Sequence, residues 1–108
     1  NNQRIRVSKK NDIDDCLFAT NHEGTKNSSL NLRYTGCASL DLGYVGCGRL
    51  DGFFQNKINL WDIAAGALII EEAGGNVNDI SKFEINNIDI RASSSEIYLK
   101  MNEKLENF

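Results

Sequence analysis

The stretch that decides the fold is Asn59-Leu60-Trp61-Asp62-Ile63-Ala64-Ala65-Gly66-Ala67-Leu68-Ile69-Ile70-Glu71-Glu72-Ala73-Gly74-Gly75. Positions 60 to 70 are apolar nearly all round, with only Asp62 and Gly66 breaking the run, and a helix of that kind is expected to be buried rather than laid on a surface. Ala64, Ala65 and Gly66 leave room for another backbone to pack close. Gly74-Gly75 ends the helix, because glycine adopts the left-handed conformation beyond a helix C-terminus without steric cost. Asp62 stands at the start, where a carboxylate meets unsatisfied N–H groups and the positive end of the helix dipole. Two roles fit it there: an N-terminal cap, or a ligand for a hard cation such as Mg²⁺, which binds through one or two carboxylates, waters and phosphate oxygens.

Working outward toward the N-terminus, Phe53-Phe54-Gln55 reads as a strand. Before it, apolar residues at 40, 42, 44, 45 and 47 give a helix over Ser39 to Gly48, weakened by glycines at 43, 46 and 48. Leu32-Arg33-Tyr34-Thr35 reads as a strand entering the small-residue turn Gly36-Cys37-Ala38. A strand, such a turn and a helix start together either pack tightly or offer backbone N–H groups to an anion or hydroxyl. Cys16 to Thr20 reads as a buried strand, and Asn21 to Asn31 as a polar loop holding the single histidine, His22, which is expected to be solvent-exposed. Asp12, Asp14 and Asp15 cluster in a polar turn over Lys9 to Asp15 and lack the glycine framework of a cation loop. Arg4 to Ser8 alternates and reads as a short strand.

Toward the C-terminus, Asn76 to Ile80 and Ile88 to Ser93 read as strands separated by a turn over Ser81 to Asn87. Ser94 to Phe108 reads as an amphipathic closing helix, with Ser94-Ser95-Glu96 as its cap. Glu71-Glu72 lies at the far end of the main helix from Asp62, about 13 Å away at 1.5 Å per residue, so the pair is structural rather than a catalytic dyad.

Two linked motifs carry a resemblance. Trp61-Asp62-Ile63-Ala64-Ala65-Gly66 with Glu72-Ala73-Gly74-Gly75 resembles the C-terminal signature of the inositol monophosphatase family. Gly36-Cys37-Ala38-Ser39-Leu40-Asp41-Leu42, with Tyr44-Val45 and Gly48-Arg49-Leu50-Asp51-Gly52-Phe53, agrees with it in residues and in spacing. Cys16-Leu17-Phe18-Ala19-Thr20 resembles the preceding strand of the same family. The likeness spans Arg4 to Ser94 and is greatest to the bacterial SuhB-like members, some of which are linked to the transcription machinery. It implies an α/β fold, a mixed β-sheet flanked by helices, and hydrolysis of a phosphate monoester of inositol or a related sugar or polyol with Mg²⁺. Relatives also act on fructose bisphosphate and phosphoadenosine phosphate. The resemblance makes Asp62 a metal ligand. It places Gly36, Cys37 and Ala38 in the turn whose backbone contacts substrate, and Gln55 where inositol-specific relatives carry a Glu that accepts hydrogen bonds from substrate hydroxyls. An amide there loses the charge and gains two donors, which weakens the expectation of inositol specificity more than that of phosphatase chemistry. The loop over 21 to 31 is shorter than in relatives, which usually carry a helix there.

The rest of the family's metal site comes from a Glu-Glu pair and an Asp-Pro-(Ile or Leu)-Asp-Gly-Thr loop in an N-terminal domain. Neither occurs in these 108 residues, which contain no proline. One carboxylate does not hold two or three Mg²⁺ ions. The chain is therefore expected to be one domain over residues 1–108, the C-terminal half of such an enzyme with the N-terminal metal-binding domain absent. No catalytic residue is assigned to it, and it is expected to be inactive alone and a homodimer when complete. A non-catalytic interaction or dimerisation domain is the alternative. The surface facing the missing half should be apolar.

Composition is consistent with this and excludes little else. Net charge is −3 with acids and bases interspersed, so there is no basic stripe for nucleic acid. No apolar run is long enough for a membrane span. The chain opens Asn1-Asn2-Gln3-Arg4 without a secretory leader or an initiating Met, and reads as a fragment. Three cysteines without metal or disulfide spacing suit reduced thiols in the cytoplasm.

Overall fold

The computed structural model describes residues 5–21 and 29–105. His22, and with it the expectation of an exposed histidine, lies outside the described residues. Eight regular elements follow in chain order. They are β1 (Leu17–Ala19), β2 (Asn31–Arg33), α1 (Ala38–Gly46), β3 (Gly52–Ile58), α2 (Ala64–Glu72), β4 (Asn76–Val77), β5 (Ile88–Ser93) and α3 (Tyr98–Lys104). The strands form one mixed sheet in the order β2-β1-β3-β5-β4. The β1 strand pairs parallel with β2 and β3, and β5 pairs antiparallel with β3 and β4. The α/β fold class and the flanking helices are as expected.

Alternation along the strands splits the core in two. Ala19, Phe53, Ile90 and Ala92 point to one face, where they meet Leu42 and Val45 of α1 and Ile70 of α2. Phe18 and Phe54 point to the other face, against Ile97, Met101 and Leu105 around α3. The sheet is thus sandwiched between an α1/α2 layer and an α3 layer. At the layer junction α1 and α2 touch through glycine: a Cβ on Gly66 would stand 2.5 Å from Leu42 Cβ.

Asp51 pins the centre of the sheet. Its side chain is 2% exposed, and its Oδ2 accepts the Leu17 N–H at 2.7 Å and lies 3.5 Å from Lys10 Nζ. Its own N–H donates to the Leu17 carbonyl at 2.8 Å, and its carbonyl accepts the Ser94 N–H at 3.0 Å. One residue so ties β1, β3 and the end of β5 together.

Several local expectations are corrected. The helix expected from Leu60 is divided into a 3₁₀ turn over Leu60–Asp62 and α2 from Ala64. Nor is it buried all round. Ile63, Gly66, Ala67 and Ile70 are buried, a stripe at helical spacing, while Trp61 is 79% and Leu68 58% exposed and Ala64 and Ala65 are also exposed. The reason is that the sheet and α1 contact one side of α2 and, among the described residues, no layer covers the other. Ile5 to Ser8 is not a strand; Val7 N–H makes a single backbone bond to the Ala73 carbonyl, 3.2 Å. The strand expected over Asn76 to Ile80 stops at Val77, because Asp79 caps a 3₁₀ turn over Ile80–Lys82. Beyond it Asn78 still holds to β5: its main-chain N–H donates to the Arg91 carbonyl at 3.1 Å, its Nδ2 donates to the Asp89 carbonyl and its Oδ1 accepts the Arg91 N–H, the last two at 2.8 Å. Ser94 does not cap the closing helix. A 3₁₀ turn over Ser95–Ile97 intervenes, and Ser94 Oγ is buried with no partner among the described residues. Conversely β3 runs three residues beyond Gln55, to Ile58.

Candidate active site

The cleft begins at the end of β2. Gly36 takes φ +81, a conformation open to glycine at little cost, and turns the chain into α1. The turn is braced from inside: Gly36 N–H donates to Asn21 Oδ1 at 2.8 Å and Cys37 N–H to Thr35 Oγ1 at 3.3 Å. These two N–H groups, expected to face an anion, are therefore already engaged. Thr35 in turn donates to the buried Asp41 carboxylate, 2.7 Å to Oδ1. Burial raises the Asp41 pKa above its ordinary value, and the Thr35 hydroxyl partly opposes it. Cys37 is exposed at the N-terminus of α1, and its thiol is more acidic than an ordinary cysteine. The Ser39 hydroxyl is the first cause and the Leu40 main-chain N–H the second.

The second wall comes from β3 and the segment after it. Gln55, half-buried, accepts from Asn21 Nδ2 through Oε1 at 3.2 Å. Between Gln55 and Ile58 the register with β5 shifts, and Lys57 occupies φ +59 there with its N–H donating to Asp89 Oδ1 at 3.2 Å. Asn59 caps the Leu60–Asp62 turn by accepting the Trp61 N–H at 2.9 Å. Asp62 follows, exposed, one turn ahead of α2. The residue at the N-cap of α2 is Ile63, which makes no side-chain cap bond. The capping role open to Asp62 in the sequence is thus filled by Asn59 for the 3₁₀ turn and by no side chain for α2.

These walls enclose an open cleft of about 530 Å³ lined by Asn21, Gly36, Cys37, Ala38, Ser39, Gln55, Lys57, Ile58, Asn59, Asp62 and Asn86. All five residues singled out from sequence, Gly36, Cys37, Ala38, Gln55 and Asp62, line it. Asn21, Ser39, Lys57, Asn59 and Asn86 were not singled out. Asn59 had a local signal, a side-chain acceptor two residues before Trp61. Asn21 and Asn86 had none, being brought in from 15 and more residues away.

A family profile described as the inositol monophosphatase family matches residues 2–107. The chain belongs to that family. Within it, the chain is 37% identical to a putative Nus factor SuhB of Neisseria meningitidis, an alignment that covers 94% of this chain and 45% of that protein. It is 40% identical over 95 residues to a fructose-1,6-bisphosphatase/inositol-1-monophosphatase of Thermotoga maritima, covering 80% of this chain and 37% of that one. The solved extragenic suppressor protein SuhB of Bartonella henselae superposes with a TM-score of 0.83 at 36% identity, over 98% of this chain and 48% of that one. The chain spans about half the length of the curated relatives it matches.

Among the described residues no group of three or more His, Cys, Asp or Glu converges. Asp62 and the cleft supply one carboxylate, and one carboxylate does not make a Mg²⁺ site. The Asp12, Asp14 and Asp15 cluster is a 3₁₀ turn capped by Asp12, as expected of a solvated turn. Glu71 and Glu72 are exposed at the far end of α2. No helix among the described residues is long and apolar enough to cross a membrane.

Proposed function

We propose that this chain is the C-terminal half of a Mg²⁺-dependent phosphomonoesterase, acting on inositol monophosphate or a related sugar or polyol phosphate in the cytoplasm. The observation that carries the reading is the gathering of Gly36, Cys37, Ala38, Gln55 and Asp62 on one cleft, with the Asp62 carboxylate at an exposed position beside it. In this reading Asp62 is one metal ligand, the α1 turn cradles the phosphate ester, and Gln55 and Lys57 meet the rest of the substrate. Metal bound there would polarise the phosphoryl oxygens and activate a water. The remaining ligands come from a polypeptide equivalent to the other half of the relatives, and the completed enzyme is a homodimer.

A second reading, an interaction module without turnover, draws on a different observation. Leu40, Trp61, Leu68 and Ile69 are all exposed, at 47%, 79%, 58% and 40%. An apolar surface of this kind marks an interface. It would serve the missing half in the first reading and another protein in the second.

Phosphate release from inositol 1-phosphate in Mg²⁺ separates them. The 108-residue chain alone is expected to release none above an Asp62→Asn control. Mixed with the N-terminal half of the Neisseria relative, it is expected to turn over, and Asp62→Asn to abolish that turnover. Turnover by the chain alone, lost in Asp62→Asn, overturns its incompleteness. A stable complex with no turnover favours the interaction module.

A further inference from the structure

The turn that leads into α1 is held from beneath by a buried acid. Asp41 is fully buried in the first turn of α1. Its main-chain N–H donates to the Cys37 carbonyl at 3.0 Å, and its two carboxylate oxygens lie 2.7 and 2.8 Å from Thr35 Oγ1. A carboxylate only accepts, so the hydroxyl hydrogen of Thr35 points at it. The lone pairs of that hydroxyl are then left to the Cys37 N–H, 3.3 Å away. Asp41 thus holds the peptide planes on both sides of Cys37, one directly and one through Thr35. The Cys37 carbonyl shares its plane with the Ala38 N–H, which points the opposite way. The Ala38 and Ser39 N–H groups are the first of α1 and have no acceptor within the helix, and both residues line the cleft.

A charge in this place works against stability. Burial penalises it and raises the Asp41 pKa, so an uncharged side chain would suit the layer better. What the carboxylate supplies is an acceptor that cannot be inverted. An Asn amide can turn either end to Thr35, and its donor end would drive the hydroxyl hydrogen toward the Cys37 N–H. We propose that Asp41 is a positioning residue for the cleft: acting through Thr35, it locks the Gly36-Cys37-Ala38 turn so that the Ala38 and Ser39 N–H groups face a bound phosphate ester. Asp41 itself does not line the cleft and is assigned no contact with the ester. The inference rests on the cleft being the ester-binding site.

Two quantities measured on each variant test this. One is the affinity for inositol 1-phosphate in Mg²⁺, read from the Ala38 and Ser39 main-chain amides of the ¹⁵N-labelled 108-residue chain. The other is the urea midpoint at pH 7. Asp41→Asn is expected to bind about fivefold more weakly, the gap between a charge-assisted and a neutral hydrogen bond, with a midpoint no lower than that of the unsubstituted chain. Thr35→Val removes the link itself and should weaken binding at least as much. Thr35→Ser keeps the hydroxyl and should bind as the unsubstituted chain does. With Thr35→Val in place, adding Asp41→Asn should weaken binding no further, because no hydroxyl is left to orient. Unchanged affinity in Asp41→Asn and Thr35→Val, with the Ala38 and Ser39 shifts intact, overturns the proposal and leaves the cleft reading standing. An affinity loss in Asp41→Asn matched by a lower midpoint makes Asp41 structural only and overturns it as well. No shift at Ala38 and Ser39 in the unsubstituted chain overturns both readings.

Discussion

The two helical layers end differently at their outer surfaces. The α3 layer turns Lys100, Glu103 and Lys104 to solvent, with Leu99 the one large apolar residue exposed on that helix. The α1/α2 layer exposes Leu40, Trp61, Leu68 and Ile69 instead. Their inner surfaces are alike, each filled by aromatic and branched residues at full burial. A helix needs one apolar stripe to hold to a sheet; the second stripe on α2 does nothing for this half of the fold. The difference sets a mostly polar outer surface on the α3 side against an apolar one on the α2 side, and the proposed interface lies on the latter.

That contrast is open to attack by substitution, and the greatest effect is expected inside. Phe54 is fully buried under α3. Phe54→Ala should cost about 3–5 kcal/mol through lost transfer energy and a cavity, read as a lower urea midpoint. A cost below about 1 kcal/mol would mean that the α3 layer is loosely packed and that the two layers differ inside as well as outside.

An intermediate effect belongs to Asp41, buried within the α1/α2 layer. Its folded pKa is raised above the ordinary 3.8, chiefly by burial. A raised carboxylate pKa means that the folded chain holds its proton more firmly than the unfolded one. The stabilising contribution is then complete below about 3.8 and is lost as pH rises through the higher folded value. Asp41→Asn retains an acceptor for Thr35 and removes the charge. It should be at least as stable as the unsubstituted chain at pH 7, with its relative advantage shrinking as the pH falls toward 3.8. Urea unfolding at both pH values checks this, and an advantage that grows on acidification would reverse the sign.

The smallest effect on stability is expected on the outer stripe. Leu68→Lys should change the unfolding free energy by less than about 0.5 kcal/mol, as surface substitutions do. In sedimentation velocity it should suppress self-association of the isolated chain and weaken assembly with an N-terminal half. A large loss of stability, with association untouched, would make the stripe part of this chain's own core.

Much of this was legible in the sequence because the strongest signals were local. The Gly36-Cys37-Ala38 turn, the α1 periodicity and the Gly74-Gly75 stop each depend on residues within a few positions of one another. The strands β3 and β5 were placed at once by aromatic and alternating residues. What was misread depended on partners remote in sequence. An apolar run such as Leu60 to Ile70 marks a helix as apolar on both sides, but does not say which side the sheet and α1 will cover. Asp62 lines the cleft with the other residues read from sequence, and the capping role open to it falls to Asn59. Asn21 escaped notice because nothing near it in sequence reports that Gly36 and Gln55 will converge on its amide. Lys57 escaped because a left-handed lysine is a product of the register shift against β5, invisible in β3 alone.

Asp51 has a consequence for the time at which this chain acquires structure. Its three main attachments join residue 51 to Leu17 and Ser94, and the central strand pair unites residues 52–58 with 88–93. A ribosome must therefore release nearly the whole of this segment before the sheet can close. Until then Phe53 and Phe54 have no β5 to cover their strand, and the nascent chain presents an open edge to its surroundings.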